Sequence, residues 1–247
     1  MTEKKIPRLD ARLSLIAQWV RPGKRVADIG CDHGYLSALL VASGKCPQAL
    51  ACDINEGPLQ RARETAVRYG VTRGMRMILT DGLAGLDSED VDDIVIAGMG
   101  GDLIARIVLE TPWLRTGDKH LVLSPMTKAH DLRKALCENG FSIHRERGVR
   151  VGKFIYTVMD ITFTGKRFVP DRIYALTGAL PWDDAPDSRD YLRHQAKIAQ
   201  DIAENLKNSN TNSNKIKEYN EIAEKIRKII EKGGENHDQG DGHIPVY

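Results

Sequence analysis

Four short stretches carry residues able to do chemistry. In Asp28-Ile29-Gly30-Cys31-Asp32-His33-Gly34-Tyr35 an apolar run passes through glycines into a helical pattern. Such a turn lets a ligand touch backbone N–H groups at a helix N-terminus. A pyrophosphate cradle would follow G-x-G-x-x-G. Here Asp28 stands at the first glycine position, Gly30 at the second, and Asp32 where a third small residue is expected. Two carboxylates repel a pyrophosphate and suit a cationic ligand with amino and hydroxyl donors. Asp53 closes the next apolar run, where a carboxylate can accept from two ribose hydroxyls. Asp81-Gly82-Leu83 closes the one after, where a carboxylate can accept from an adenine amino group. Any one of these acids alone reads as a helix cap or a turn residue. Three at successive strand ends read as one nucleoside-binding edge.

The fourth stretch, Gly98-Met99-Gly100-Gly101, permits close backbone approach or positive φ, although a tight strand-to-helix turn would need the same glycines. It carries no polar-Pro-Pro-aromatic sequence, so a bidentate clamp on an exocyclic amine is not expected. His33 is placed either to act as a general base or to make a local hydrogen bond. The other histidines show no metal-ligand spacing, and no metal is expected. No Ser/His/Asp arrangement is evident. Basic residues gather at Arg61, Arg63, Arg68, Arg73 and Arg76, and again at Arg145, Arg147, Arg150 and Lys153. A solvated helix face explains the first group as well as nucleic acid does.

The elements that must position these residues alternate. Strands are predicted at 25–30, 48–53, 75–79, 93–97 and 120–124, and helices at 35–43, 57–69, 101–109 and 129–139. Short strands separated by helices imply right-handed βαβ units and a parallel sheet covered on both faces. After residue 140 the pattern changes to two β-like runs, 141–147 and 151–164, with a turn expected at Gly148. One face of the second run carries Phe154, Tyr156, Val158, Asp160 and Thr162; the other carries Ile155, Thr157, Met159, Ile161 and Phe163. The fold class is therefore α/β, Rossmann-like, mostly parallel with an antiparallel hairpin at the sheet's C-terminal edge. By fold analogy this is the class I methyltransferase arrangement rather than the all-parallel dinucleotide fold.

A second unit is expected after Gly165. Pro181 to Asp187 breaks the chain, and then Leu192, Ala196, Ala199, Ala203 and Leu206 recur at alternating steps of four and three. Lys207 to Asn214 reads as a polar loop. Ile216, Tyr219, Ala223, Ile226 and Ile230 repeat the stripe, which predicts an antiparallel helical hairpin. Pairing within the chain is the default and dimerisation through the same stripe the rival. The expected division is 1–165 for the sheet domain, 166–232 for the helical hairpin and 233–247 for a tail.

The whole chain, 247 residues with 41% hydrophobic and 28% charged side chains and a net charge of +2, can bury a core and is not polybasic. A tail-driven nucleic-acid binder is excluded; an enzyme with a local basic patch is not. No apolar run approaches the ~20 residues of a spanning helix, and no signal core follows Met1 to Pro7. Cys31, Cys46, Cys52 and Cys137 form no CxxC pair and read as reduced thiols of a cytoplasmic protein.

Taken with the opening Leu9-Asp10-Ala11-Arg12-Leu13, four motifs carry a family resemblance: Asp28-Ile29-Gly30-Cys31-Asp32-His33-Gly34-Tyr35-Leu36, Asp53-Ile54-Asn55-Glu56-Gly57-Pro58-Leu59, Asp81-Gly82-Leu83 and Gly98-Met99-Gly100-Gly101-Asp102-Leu103-Ile104. Over roughly residues 9–230 the chain resembles the bacterial tRNA (adenine(22)-N1)-methyltransferases. That resemblance implies S-adenosyl-L-methionine as cofactor and tRNA as partner, with the enzyme a monomer or weak homodimer. It assigns cofactor contacts to Asp28, Gly30, Gly34, Tyr35, Asp53, Ile54, Asp81, Gly82, Leu83, Gly98, Met99 and Gly100. Asp32 leads the catalytic candidates, followed by His33 and Asp10. Arg12, Gly101, Arg145 and Arg147 are the candidate substrate contacts. One departure stands out: where the family shows Gln-Pro-Asn after the fifth strand, this chain has Ser124-Pro125-Met126. Two other readings of the same residues are a class I methyltransferase acting on a small molecule or protein, and a non-catalytic cofactor-binding module.

Overall fold

The structure is a computed structural model, and it describes residues 6–209 and 213–232. Seven strands form one sheet in the order β3-β2-β1-β4-β5-β7-β6. β1 (Val26–Ile29), β2 (Ala49–Asp53), β3 (Met75–Leu79), β4 (Asp93–Ala97) and β5 (His120–Ser124) are parallel; β6 (Phe141–Val151) and β7 (Phe154–Phe163) close the edge antiparallel. The central strands are buried along nearly their whole length because helices cover both faces. Val26, Val95 and Val122 point to one face, beside Ile16 of α1 (Ala11–Trp19) and Leu40 of α2 (Tyr35–Ala42). α3 (Glu56–Arg68) continues that layer over β2 and β3. Ile29, Ile94, Ile96 and Leu123 point the other way, to α4 (Gly101–Leu109) and α5 (Ala129–Glu138).

The hairpin does not turn at Gly148, contrary to the sequence reading. β6 runs through that residue to Val151, and the chain reverses at Gly152, whose φ is 60°. Gly148 is a glycine for a different reason. A Cβ there would stand 2.6 Å from the carbonyl oxygen of Asp187, and its N–H donates to Ser188 Oγ at 2.7 Å. It is the point at which the next helix lies directly on the strand.

α6 (Arg172–Thr177) leads through a 3-10 turn at Leu180–Trp182 into α7 (Pro186–Asn208), which pairs with α8 (Ser213–Lys232). The expected loop at 207–214 is shorter than its composition suggests, since α7 continues to Asn208 and α8 begins at Ser213. The expected stripes meet inside one chain, joined by Tyr191 and Ile222, while Leu206 stays half-buried. The tail expected at 233–247 lies outside the described residues. A buried ion pair of the sheet part, Arg133 Nη2 of α5 donating to Glu146 Oε1 of β6 at 2.6 Å, ties in the helical part as well, through Arg133 Nη1 to the Ala175 carbonyl and Ala179 N–H to Glu146. A second buried network lies at the starts of β4 and β5. His120 sits between Asp93 (3.2 Å) and Asp160 (2.6 Å), and these acids also accept from Arg21 and Arg145.

Candidate active site

The C-terminal edge of the parallel strands gathers the predicted residues. The loop after β1 is folded by two backbone features. Gly30 has φ 72° and donates to the carbonyl of Cys52, joining the β1 and β2 tips at 2.8 Å. Gly34, at φ 64°, caps α2 and packs on α3, where a Cβ would come within 2.9 Å of that of Ala62. Between them Asp32 takes the left-handed region, at φ 48°, which is uncommon for a residue with a side chain. Its carboxylate is 67% exposed and accepts from Arg61 Nη2 at 3.1 Å. His33 Nε2 lies 3.8 Å from the other oxygen of Asp32, and the His33 ring stacks on Tyr35 at 5.6 Å.

The three strand-end acids are not equivalent. Asp28 is only 5% exposed, and its Oδ2 accepts from Ser37 Oγ of α2 at 2.9 Å. Burial pushes its pKa up to about 6, and the Ser37 hydrogen bond only partly offsets this. Its carboxylate therefore sits behind the loop. Asp53 is half-buried at the β2 tip, where Oδ1 accepts from Asn55 N–H at 3.0 Å. Asp81 is exposed and accepts from Arg106 Nη2 of α4 at 3.1 Å. Beside them Ile54 and Leu79 each expose 60% of their surface. Gly82 is packed against Ile107, and Leu83, 2% exposed, belongs to the core, so its side chain is not available to a ligand. The sequence reading gave no place at this edge to Leu79, Ser37 or Arg106, and took Arg61 only as part of a basic group. An apolar residue closing β3 was a usable signal for Leu79. The other three act across sequence gaps that no local pattern marks.

The loop after β4 completes the edge. Gly98 has φ 86°, and Met99 reaches across so far that a Cβ on Gly30 would collide with its Cε. The same loop is laced to the one after β5: Met126 N–H donates to Met99 O at 2.8 Å and Gly101 N–H to Thr127 O at 2.9 Å. Gly101 is buried, and a Cβ there would run into the carbonyl of Lys128, so it serves that junction rather than open space. Ser124 Oγ donates to Thr157 O at 2.9 Å, while Met126 is 42% exposed.

Other predicted residues lie apart or are already engaged. Asp10 caps α1, its Oδ1 accepting from Leu13 N–H at 2.7 Å. Arg12 lies at the same edge with its guanidinium over Tyr156, 5.5 Å from the ring centre. Arg145 is drawn away, bonded to Asp160 at 2.7 Å and stacked on Trp19 at 4.3 Å. Arg147 is held by Asp183 at 2.7 Å. Intramolecular acids thus occupy both hairpin arginines that were expected to meet substrate. All four thiols are buried, and burial raises the pKa of each, Cys46 to about 11 and Cys52 and Cys137 to about 12. They are core residues. Among the described residues no cluster of three His, Cys, Asp or Glu could hold a metal, and no helix is long and apolar enough to cross a membrane.

Sheet order, acidic strand tips and the closing antiparallel hairpin together define a Rossmann-like methyltransferase fold. Comparison with known proteins agrees: the sequence pattern of the methyltransferase domain family matches residues 9–159, and the chain belongs to that family. It is 27% identical over 235 residues to the tRNA (adenine(22)-N(1))-methyltransferase of Bacillus subtilis, covering 92% of this chain and 98% of that protein. Among solved structures it resembles a putative tRNA (m1A22) methyltransferase of Streptococcus pneumoniae, with a TM-score of 0.80, 26% identity and coverage of 90% and 100% of the two chains. It also resembles M. capricolum TrmK in complex with S-adenosyl-homocysteine, with a TM-score of 0.75, 25% identity and coverage of 90% and 98%.

Proposed function

We propose that this chain transfers a methyl group from S-adenosyl-L-methionine to N1 of adenine 22 in tRNA. The observation that carries the reading is end-to-end similarity to an enzyme of that name, extending beyond the cofactor half through the helical hairpin. The strand-tip edge fits the cofactor chemically. Asp53 accepts from the ribose hydroxyls, and Asp81 accepts from the adenine amino group once Arg106 gives way. Ile54 and Leu79 supply apolar surface for the base. The backbones of Gly30, Gly34, Tyr35, Gly82, Leu83 and Gly98–Gly100 line the path, and Asp28 holds the loop from behind through Ser37.

When bound, S-adenosyl-L-methionine supplies a methyl group carried on a sulfonium sulfur. N1 of neutral adenine already has a lone pair in the ring plane, so no side chain must first remove a proton. The work left to this chain is placement and charge. Asp32, exposed and turned outward by its left-handed backbone, offsets positive charge arriving on the base or accepts from its N6 amine once Arg61 gives way. His33, stacked on Tyr35 beside that carboxylate, positions it. Asp10 is spent on capping and serves by fixing the first turn of α1. N1 lies on the Watson–Crick edge, so the adenine must be unpaired or flipped to react.

Residues 1–165 form the catalytic domain and 166–232 the helical unit that braces folded tRNA by shape. The enzyme acts as a monomer or weak homodimer and works in the cytoplasm on its tRNA. The test is methyl transfer from labelled cofactor to unmodified tRNA transcripts, followed by nuclease digestion and nucleoside identification. The expected product is 1-methyladenosine, lost when adenine 22 is replaced by guanine. Label on another base, or none on any tRNA, overturns the reading.

A further inference from the structure

The β6–β7 hairpin is longer than the sheet it closes. β7 pairs with β5 only from His120↔Thr162 to Leu123↔Met159, yet β6 and β7 go on pairing with each other out to Val151↔Phe154. Phe154 therefore projects about 13 Å past the end of β5, at the edge where the active-site loops lie. Tyr156 and Phe154 follow each other on one face of this projection, ring centres 6.2 Å apart. Phe154 is 55% exposed. Each ring carries a cation: Arg12 Cζ lies 5.5 Å from the Tyr156 ring centre and Lys153 Nζ 5.3 Å from that of Phe154.

The surrounding charges single out these two cations. Arg145, Arg147 and Arg150 of the same hairpin are neutralised by Asp160, Asp183 and the pair Asp187 and Asp190. Arg12 and Lys153 have no acidic partner among the described residues, and Arg12 Nη1 is buried without a hydrogen bond. Tyr156 also forms one wall of a cleft of about 420 Å³ below the ladder, shared with Met126, Lys128, His130 and His194, whose lining side chains include no carboxylate. Alternating aromatic rings and unneutralised cations along an exposed edge are what single-stranded nucleic acid requires: π faces for bases and positive charge for phosphates.

We propose that Tyr156 and Phe154 stack an unpaired nucleotide next to the adenine that is methylated, with Arg12 and Lys153 meeting its phosphates. This rests on the tRNA reading above. It makes the hairpin tip the element that keeps the target strand splayed.

The experiment uses the full chain with cofactor and an unmodified tRNA transcript. Phe154→Ala should raise the KM for tRNA about tenfold with kcat and calorimetric cofactor affinity unchanged, the loss expected for one base-stacking contact. Phe154→Trp should restore KM, and the emission it adds to that of Trp19, Trp113 and Trp182 in the wild type should quench saturably as tRNA is added. A Phe154→Ala enzyme with unaltered KM for tRNA, or a Phe154→Trp emission that saturating tRNA leaves unchanged, overturns the ladder while the wild type still methylates. Sedimentation of Phe154→Ala as a smaller species than the wild type would make the tip a contact between copies and also overturn it. A wild type that methylates no tRNA refutes the functional reading itself.

Discussion

Replacing Arg133 by methionine tests whether the sheet and the helical unit share one electrostatic joint. Arg133 is fully buried, and Nε and Nη2 donate three hydrogen bonds of 2.6 to 3.2 Å to Glu146. Its Nη1 donates to the carbonyls of Ala175 and Leu176 at the end of α6. Glu146, 1% exposed, also accepts from the backbone of Ala179 and the hydroxyl of Thr157. Methionine fills most of the volume but strands this carboxylate without its cation. Breaking such a pair from one side costs about 3–5 kcal/mol. In a chain of this length each kcal/mol lowers Tm by about 2–4 °C, so a fall of roughly 6–20 °C is expected. Urea denaturation followed by circular dichroism measures the loss. Adding Glu146→Gln should recover most of the stability. A single variant that loses under about 1 kcal/mol, or a double variant no better than the single, refutes the reasoning.

Alkaline pH should weaken the second buried network. Burial alone would discharge His120, but hydrogen bonds and charge from Asp160 and Asp93 outweigh it and hold its pKa up to about 9, against 6.5 ordinarily. That contribution is complete below about pH 6.5 and is lost as pH rises through 9; the urea midpoint should fall across this window, and His120→Gln should abolish the slope. Asp53→Ala should remove detectable cofactor binding by calorimetry, whereas Asp32→Ala should reduce turnover with cofactor affinity nearly intact; equal loss of affinity in both would take Asp32 out of the chemistry. Gly101→Ala should sharply reduce activity, because its Cβ meets the backbone carbonyl of Lys128, which cannot yield as a flexible side chain can; steady-state kinetics against the wild type decide it.

The strand tips were legible because chemistry and fold coincide there. β4 and β5 begin and end where the apolar runs do, since a strand buried on both faces shows its limits in composition. The acids at 28, 53 and 81 fall at or within two residues of strand ends. What the sequence concealed is how each acid is held. Asp28 is withdrawn behind Ser37, nine positions on, and Asp81 is paired with Arg106, 25 positions on. Gly148 misled because a glycine between two β runs usually turns the chain, and only the approach of Asp187 and Ser188 shows that this one does not. Arg145 and Arg147 looked free for the same reason. Their acids at 160 and 183 become neighbours only after folding.

The hydrogen bonds from Met126 to Met99 and from Gly101 to Thr127 extend the β4–β5 ladder past the last strand residue. The two loops are consequently tied into one lip along the sheet edge. The Ser124-Pro125-Met126 variation is also not confined to its own loop. Met126 is bonded to Met99, and Met99 lies over Gly30, so the variation bears on the loop after β1 as well.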